Sequence, residues 1–331
     1  MILHPAVLAL IVASALTGFM VLYACWYGAR ILLQWEIRSG SERQLGLERR
    51  TYLISTLLCF AFAVQILSLF LYVYTADRLH GLFSGAMCAA GTLNVNRYGY
   101  PVLVLKAVTF LLAGVWLIVN HADTRGYDYP LIRIKYALLL LIAPLVLTDG
   151  ILEYRYFAGL RADVITSCCG SLFSRDRAGV AGDLAALPSG PMEWLFFAGM
   201  IATAACGIRF NRTGSGGYLF SVVGTLAFFI AVASLISFIC LYYYDLPTHH
   251  CPFCILQKEY GSIGYALYAT LFGGGVAGMG TGALMPFRNR GTMAAVIPPL
   301  QRRLVVATLV FYLLFTLMVC CRMLLSPLRL G

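Results

Sequence analysis

Apolar residues run along this chain in long unbroken stretches, with neither the alternation of a strand nor the single stripe of a surface helix. Eight such stretches approach or exceed the roughly 20 residues a helix needs to cross a hydrocarbon core. They cover residues 6–29, 52–74, 101–120, 134–152, 192–210, 217–244, 253–278 and 304–324. The pattern predicts an all-α polytopic membrane helical bundle of about eight transmembrane helices, with lipid as its main surroundings. Two polar gaps, one before residue 101 and one between 152 and 192, are too long for tight turns. The second is broken by Gly159, Gly170, Gly179, Gly182, Pro188, Gly190 and Pro191, so both are expected to fold as a cap over one end of the bundle.

Composition removes the alternative of two soluble domains. Hydrophobic residues make up 60% of the 331 residues and charged ones 11%, and mean hydropathy is +0.82. The net charge of +10 does not point to nucleic acid, because the basic residues sit in short connections between apolar runs. More than half of the 24 fall in four of them, among them Arg30, Arg38, Arg43, Arg49, Arg50, Arg125, Arg133, Lys135, Arg209, Arg212, Arg288, Arg290, Arg302 and Arg303. The positive-inside rule then puts both termini outside the cytoplasm, in a bacterial cytoplasmic (inner) membrane. The first apolar run has no small-residue cleavage site and is expected to be retained.

That orientation sorts the eleven cysteines. Cys88, Cys168, Cys169, Cys251 and Cys254 fall on the outer, oxidising side, while Cys25, Cys59, Cys206, Cys240, Cys320 and Cys321 lie within spans as small packing residues. Cys251 and Cys254 form a Cys-x-x-Cys in His249-His250-Cys251-Pro252-Phe253-Cys254-Ile255-Leu256-Gln257-Lys258. Pro252 suits the first turn of a helix, which would put Cys251 near an N-cap where the dipole favours thiolate. Three readings stay open for this stretch. It is a redox-active pair, a metal site using His249, His250, Cys251 and Cys254, or a structural disulfide. The motif argues against a c-type haem, because Ile255, not histidine, follows Cys254.

The run Cys251-x-x-Cys254-Ile255-x-Gln257-Lys258 resembles the Cys-x-x-Cys-Ile-x-Glu/Gln-Arg stretch of the disulfide-bond formation protein B family. The order of elements is similar to the vitamin K epoxide reductase family: a cysteine-bearing outer loop, two spans, then the Cys-x-x-Cys opening a further span. The likeness covers roughly residues 140–280, which implies three parts. Residues 1–135 would carry helices and the Cys88 loop, 136–280 a four-helix redox core, and 281–331 a connector and last helix. It implies a membrane thiol–disulfide oxidoreductase that passes electrons between periplasmic thiols and a quinone, ubiquinone or menaquinone. Cys251 and Cys254 would face the quinone, with Lys258, Gln257 and His250 around it. Cys168, Cys169 and Cys88 would exchange with a periplasmic thioredoxin-like protein or another thiol substrate. This chain departs from both families in its number of spans, in Lys258 where arginine is usual, and in its adjacent loop cysteines. The rival readings are a non-catalytic subunit working with other membrane subunits, its cysteines closed as staples, and a metal-handling protein.

A few polar residues fall inside apolar runs. Asp149 and Glu153, four apart, share a helix face and could relay protons or simply end a solvated helix. Lys106 is costly inside a span unless paired, with Asp77 or Glu153 as candidate partners, and Gln65 suits a hydrogen bond between helices.

Overall fold

The computed structural model describes residues 2–36, 41–126, 129–166, 172–174 and 179–329. Among the described residues there is no strand. The long helices are α1 (Pro5–Gln34), α2 (Glu42–Leu79), α4 (Gly99–Asp123), α5 (Ile132–Ala158), α7 (Ser189–Thr213), α8 (Gly217–Tyr244), α9 (Ile263–Ala283) and α10 (Met293–Leu325). Two short helices, α3 (Ala89–Leu93) and α6 (Val180–Ala185), lie in the two long gaps between the long helices. A π-turn at Leu235–Ile239 interrupts α8. Seven of the long helices are apolar and long enough to cross a membrane. The bundle read from hydropathy is therefore present, with α2 and α10 starting about ten residues earlier than expected.

The eighth predicted span, α9, starts ten residues later than its apolar run and is diluted by glycine. Its glycines serve contact. A Cβ on Gly274 would lie 2.3 Å from the Tyr312 ring, one on Gly275 2.9 Å from Phe228, and one on Gly282 2.3 Å from the Ser221 hydroxyl. So α9 packs backbone-close against α8 and α10, as small residues permit in apolar surroundings. Tyr312 completes this seam by donating its hydroxyl to the Gly224 carbonyl at 2.9 Å.

The chain divides into two compact units. The first contains residues Met1–Val73, Asn96–Leu160 and Pro286–Leu300, the second Tyr74–Val95, Arg161–Met285 and Gln301–Gly331. In the first, α5 packs on α1 and α4. The core joins Val21, Ile31, Phe62, Trp116, Tyr136 and Ile142. Phe62 and Trp116 meet edge to face at 4.9 Å, and the Trp116 indole donates to the Lys135 carbonyl at 2.9 Å. The expected redox core over 136–280 differs from this grouping, because α5 is held among the N-terminal helices by those contacts. The second unit carries α6–α9, the latter part of α10, and the Cys88 hairpin.

Candidate functional site

The site lies within the second unit and is built at the end of α8. Tyr242, Tyr243 and Tyr244 close the helix, and Asp245 turns the chain in the left-handed region at φ 54°. Arg322 of α10 caps this end, donating to the carbonyls of Tyr242 and Tyr243 at 2.9 and 3.2 Å and to the Asp245 carboxylate at 2.7 Å. A cation on the last carbonyls complements the helix dipole. His250 lies close by, its Nδ1 2.8 Å from the Ile236 carbonyl in the π-turn.

Two tyrosine hydroxyls then clamp the Cys-x-x-Cys. The Tyr244 hydroxyl donates to the Cys251 carbonyl and accepts the Ile255 N–H at 2.9 Å, so one oxygen ties both ends of the motif. The Tyr268 hydroxyl donates to the Pro252 carbonyl at 2.6 Å. This backbone is not a helix: Cys254–Leu256 and Lys258–Tyr260 form single 3-10 turns, and α9 opens only at Ile263. Gly261 at φ 64° and Ser262 at φ 54° keep the turns from joining it. The expected helix N-cap at Cys251 is therefore absent, and the dipole argument for a thiolate falls with it.

Cys88 reaches the same place from α2. It occupies the N-cap of α3 in extended conformation, and its carbonyl accepts the Gly91 N–H at 3.1 Å. Its sulfur lies 3.7 Å from that of Cys251, and the sulfurs of Cys88, Cys251 and Cys254 all fall within 4.8 Å of one another. All three residues are buried. Gln257 fixes the approach by donating to the Met87 carbonyl at 2.7 Å, and Asp77 stands beside both Gln257 and the Ala89 N–H. His249 Nε2 is 3.4 Å from the Cys254 sulfur, its ring edge-on to Tyr244 at 4.6 Å.

Of the residues expected at the site, Cys88, Cys251 and Cys254 are brought together. Gln257 acts as a staple, His250 is an internal ring bound to a backbone carbonyl, and Lys258 is exposed on a 3-10 turn rather than inside a span. Cys168 and Cys169 lie outside the described residues. The chain on either side of them is fixed to the site: Thr166 donates its hydroxyl to the Gly91 carbonyl at 2.9 Å, and the Phe173 ring lies 6.1 Å from that of Phe253. Sequence reasoning missed Tyr244, Tyr268 and Asp77 as parts of the site. The Tyr242-Tyr243-Tyr244 run was the one available signal, but aromatic residues at a helix exit usually mark the membrane interface.

Three clustered thiols, one with an imidazole in contact, can do two things chemically. A third thiol next to a Cys-x-x-Cys is poised for exchange, and three sulfurs with a ring nitrogen form a donor set for a soft or borderline metal ion. No family model, curated protein or solved structure matches this chain.

Proposed function

We propose that this chain is a membrane thiol–disulfide oxidoreductase, related to the disulfide-bond formation protein B and vitamin K epoxide reductase proteins it resembles. It exchanges electrons between thiols on the outer face of a bacterial cytoplasmic membrane and a membrane quinone. The observation that carries this reading is the 3.7 Å approach of the Cys88 and Cys251 sulfurs, from segments far apart in the chain.

In the oxidised form Cys251 and Cys254 share a disulfide. The Cys88 thiolate attacks the Cys251 sulfur, forming a Cys88–Cys251 bond and releasing Cys254 as thiolate. The His249 imidazole next to Cys254 takes up or supplies the proton of that leaving group. A second thiol, from the Cys168/Cys169 pair or from the substrate, attacks Cys88 and frees Cys251. Two electrons and two protons have then passed from a dithiol to the Cys-x-x-Cys, and the dithiol has become a disulfide.

A bound quinone supplies the acceptor for those two electrons and two protons. The side chains that fit such a planar apolar ring are Phe253, Ile255 and Leu256, flanking Cys254, with Phe173 against Phe253. The thioredoxin-like partner and the outward position of both termini belong to the same reading.

Quinone reduction by the purified protein with a reduced thioredoxin-like substrate tests it. Cys254→Ser and Cys88→Ser should each lower the rate at least a hundredfold. Undiminished activity in either variant sinks the proposal.

A second reading has its own support. Tetrahedral coordination with zinc–sulfur bonds of about 2.3 Å sets neighbouring sulfurs roughly 3.8 Å apart, close to the separation of Cys88 and Cys251. Cys88, Cys251, Cys254 and His249 would then be the ligands, with Cys88 replacing the His250 expected from sequence. Elemental analysis of protein purified under reducing conditions separates the two: one tightly held metal ion per chain favours this reading.

A further inference from the structure

The first unit holds a buried charge cluster that the thiol chemistry does not use. Lys106 of α4 is completely buried, and its ammonium has three acceptors: the Ser68 hydroxyl at 3.3 Å, Asp149 at 3.1 Å and Glu153 at 3.3 Å. Three N–H donors meet three acceptors, so this group is fully engaged as a cation. Gln65 of α2 adds a hydrogen bond to the same Asp149 oxygen at 2.8 Å, and Ser14 of α1 donates to the same Glu153 oxygen as Lys106.

The charges do not balance. Two carboxyl groups, 1% and 0% exposed, face a single ammonium. On each, one oxygen carries all the contacts while the other, Asp149 Oδ1 and Glu153 Oε1, is buried with no hydrogen-bond partner. The other titratable groups facing the cluster are phenols: Tyr72 on α2, Tyr100 on α4 and Tyr156 on α5. Helix α1 contributes the Ser14 hydroxyl, and among the described residues no second cation pairs with either carboxyl. A surplus carboxylate in so dry a site takes up a proton instead of remaining ionised.

We propose that Asp149 and Glu153 form a proton-binding site that holds one exchangeable proton between them while Lys106 stays charged. The proton sits on one of the two unpartnered oxygens, the position each carboxyl leaves open. A cavity of about 540 Å³ between α1 and α5, lined by Ser14, Gly18, Gly150, Tyr154 and Arg155, reaches Ser14. Ser14 is bonded directly to the Glu153 carboxyl, so this cavity comes within one side chain of the site and is the side from which the proton exchanges with the surroundings. The site requires none of the thiols and stands independently of the redox reading.

Infrared difference spectroscopy of the intact protein in lipid, at neutral pH, tests this through the carbonyl stretch of protonated carboxylic acid. The wild type should show one such buried carboxyl that shifts in D2O. Asp149→Asn and Glu153→Gln should each abolish it, because the remaining carboxylate balances Lys106. Lys106→Gln should double it, because both carboxyls are then protonated. If Lys106→Gln does not fold, the two carboxamide variants decide, since each leaves a neutral pair. Persistence of the band in both of them, absence of any such band in the wild type, or no shift in D2O overturns the proposal.

Discussion

The sulfurs of Cys88 and Cys251 lie 3.7 Å apart inside the protein although 163 positions separate them in the chain. A disulfide needs about 2.05 Å between sulfurs, a change that side-chain rotation can supply without moving the backbone far. Cys254→Ser removes the thiol that competes for Cys251, so mild oxidation of that variant should trap a Cys88–Cys251 bond. Peptide mapping of oxidised protein should find it as the dominant cross-link. A dominant link from Cys88 to any other cysteine would contradict the geometry.

A single hydroxyl holds both ends of the Cys-x-x-Cys, and Tyr244→Phe removes it. The Ile255 N–H loses its acceptor and the Cys251 carbonyl its donor, each in a buried setting. Leaving such groups unpaired costs about 1–3 kcal/mol apiece. We expect a lower melting temperature in detergent and alkylation of Cys251 and Cys254 at least several-fold faster. Unchanged alkylation would mean that Tyr268 and the flanking contacts hold the loop by themselves.

Much of the bundle could be read from hydropathy, because an uninterrupted apolar run has little choice but a helix in lipid. That Cys88, Cys251 and Cys254 belong to one end of the bundle was also readable, from the alternation of arginine-rich and arginine-poor loops, and the three sulfurs do meet. Which thiol meets which was not, since it depends on the close approach that Gly91 allows over Ala86 and on the Gln257 bond to Met87, contacts without any periodicity. The helix expected to start at Cys251 failed on two left-handed residues, Gly261 and Ser262, and serine gives no warning of that conformation. The sequence pointed to Glu153 as one partner for Lys106, and both Glu153 and Asp149 bind it. Lys135 was counted among loop charges but lies buried in the first turn of α5, paired with Asp123.

The strap leading to the Cys168/Cys169 pair rests on a glycine. Gly85 has φ 86°, and a Cβ there would stand 2.3 Å from the Thr166 carbonyl oxygen. Thr166 also bonds through its N–H to the Ser84 carbonyl at 3.0 Å, so Gly85→Ala must push the strap off the hairpin. The left-handed conformation alone costs a non-glycine residue about 1–2 kcal/mol. Limited proteolysis between residues 160 and 180 should become faster and thiol exchange slower. Gly81→Ala, where nothing lies within 4 Å, is the control and should behave as wild type.

The pairing of Lys135 with Asp123 makes the last prediction, one for stability. The ammonium lies 2.7 Å from one carboxylate oxygen and 3.1 Å from the Ser55 hydroxyl, and the other carboxylate oxygen accepts the Leu131 N–H at 3.0 Å. Both side chains are almost fully buried. Removing one partner leaves an uncompensated charge, which in dry surroundings costs about 3–5 kcal/mol, whereas removing both can be close to neutral. Asp123→Asn keeps an acceptor for Leu131 and isolates the ammonium; Lys135→Met isolates the carboxylate. Each single variant should unfold markedly earlier in a denaturant titration in detergent, and the double variant should recover most of the loss. If the two losses simply add, the groups are not coupled and the pair contributes nothing as a pair.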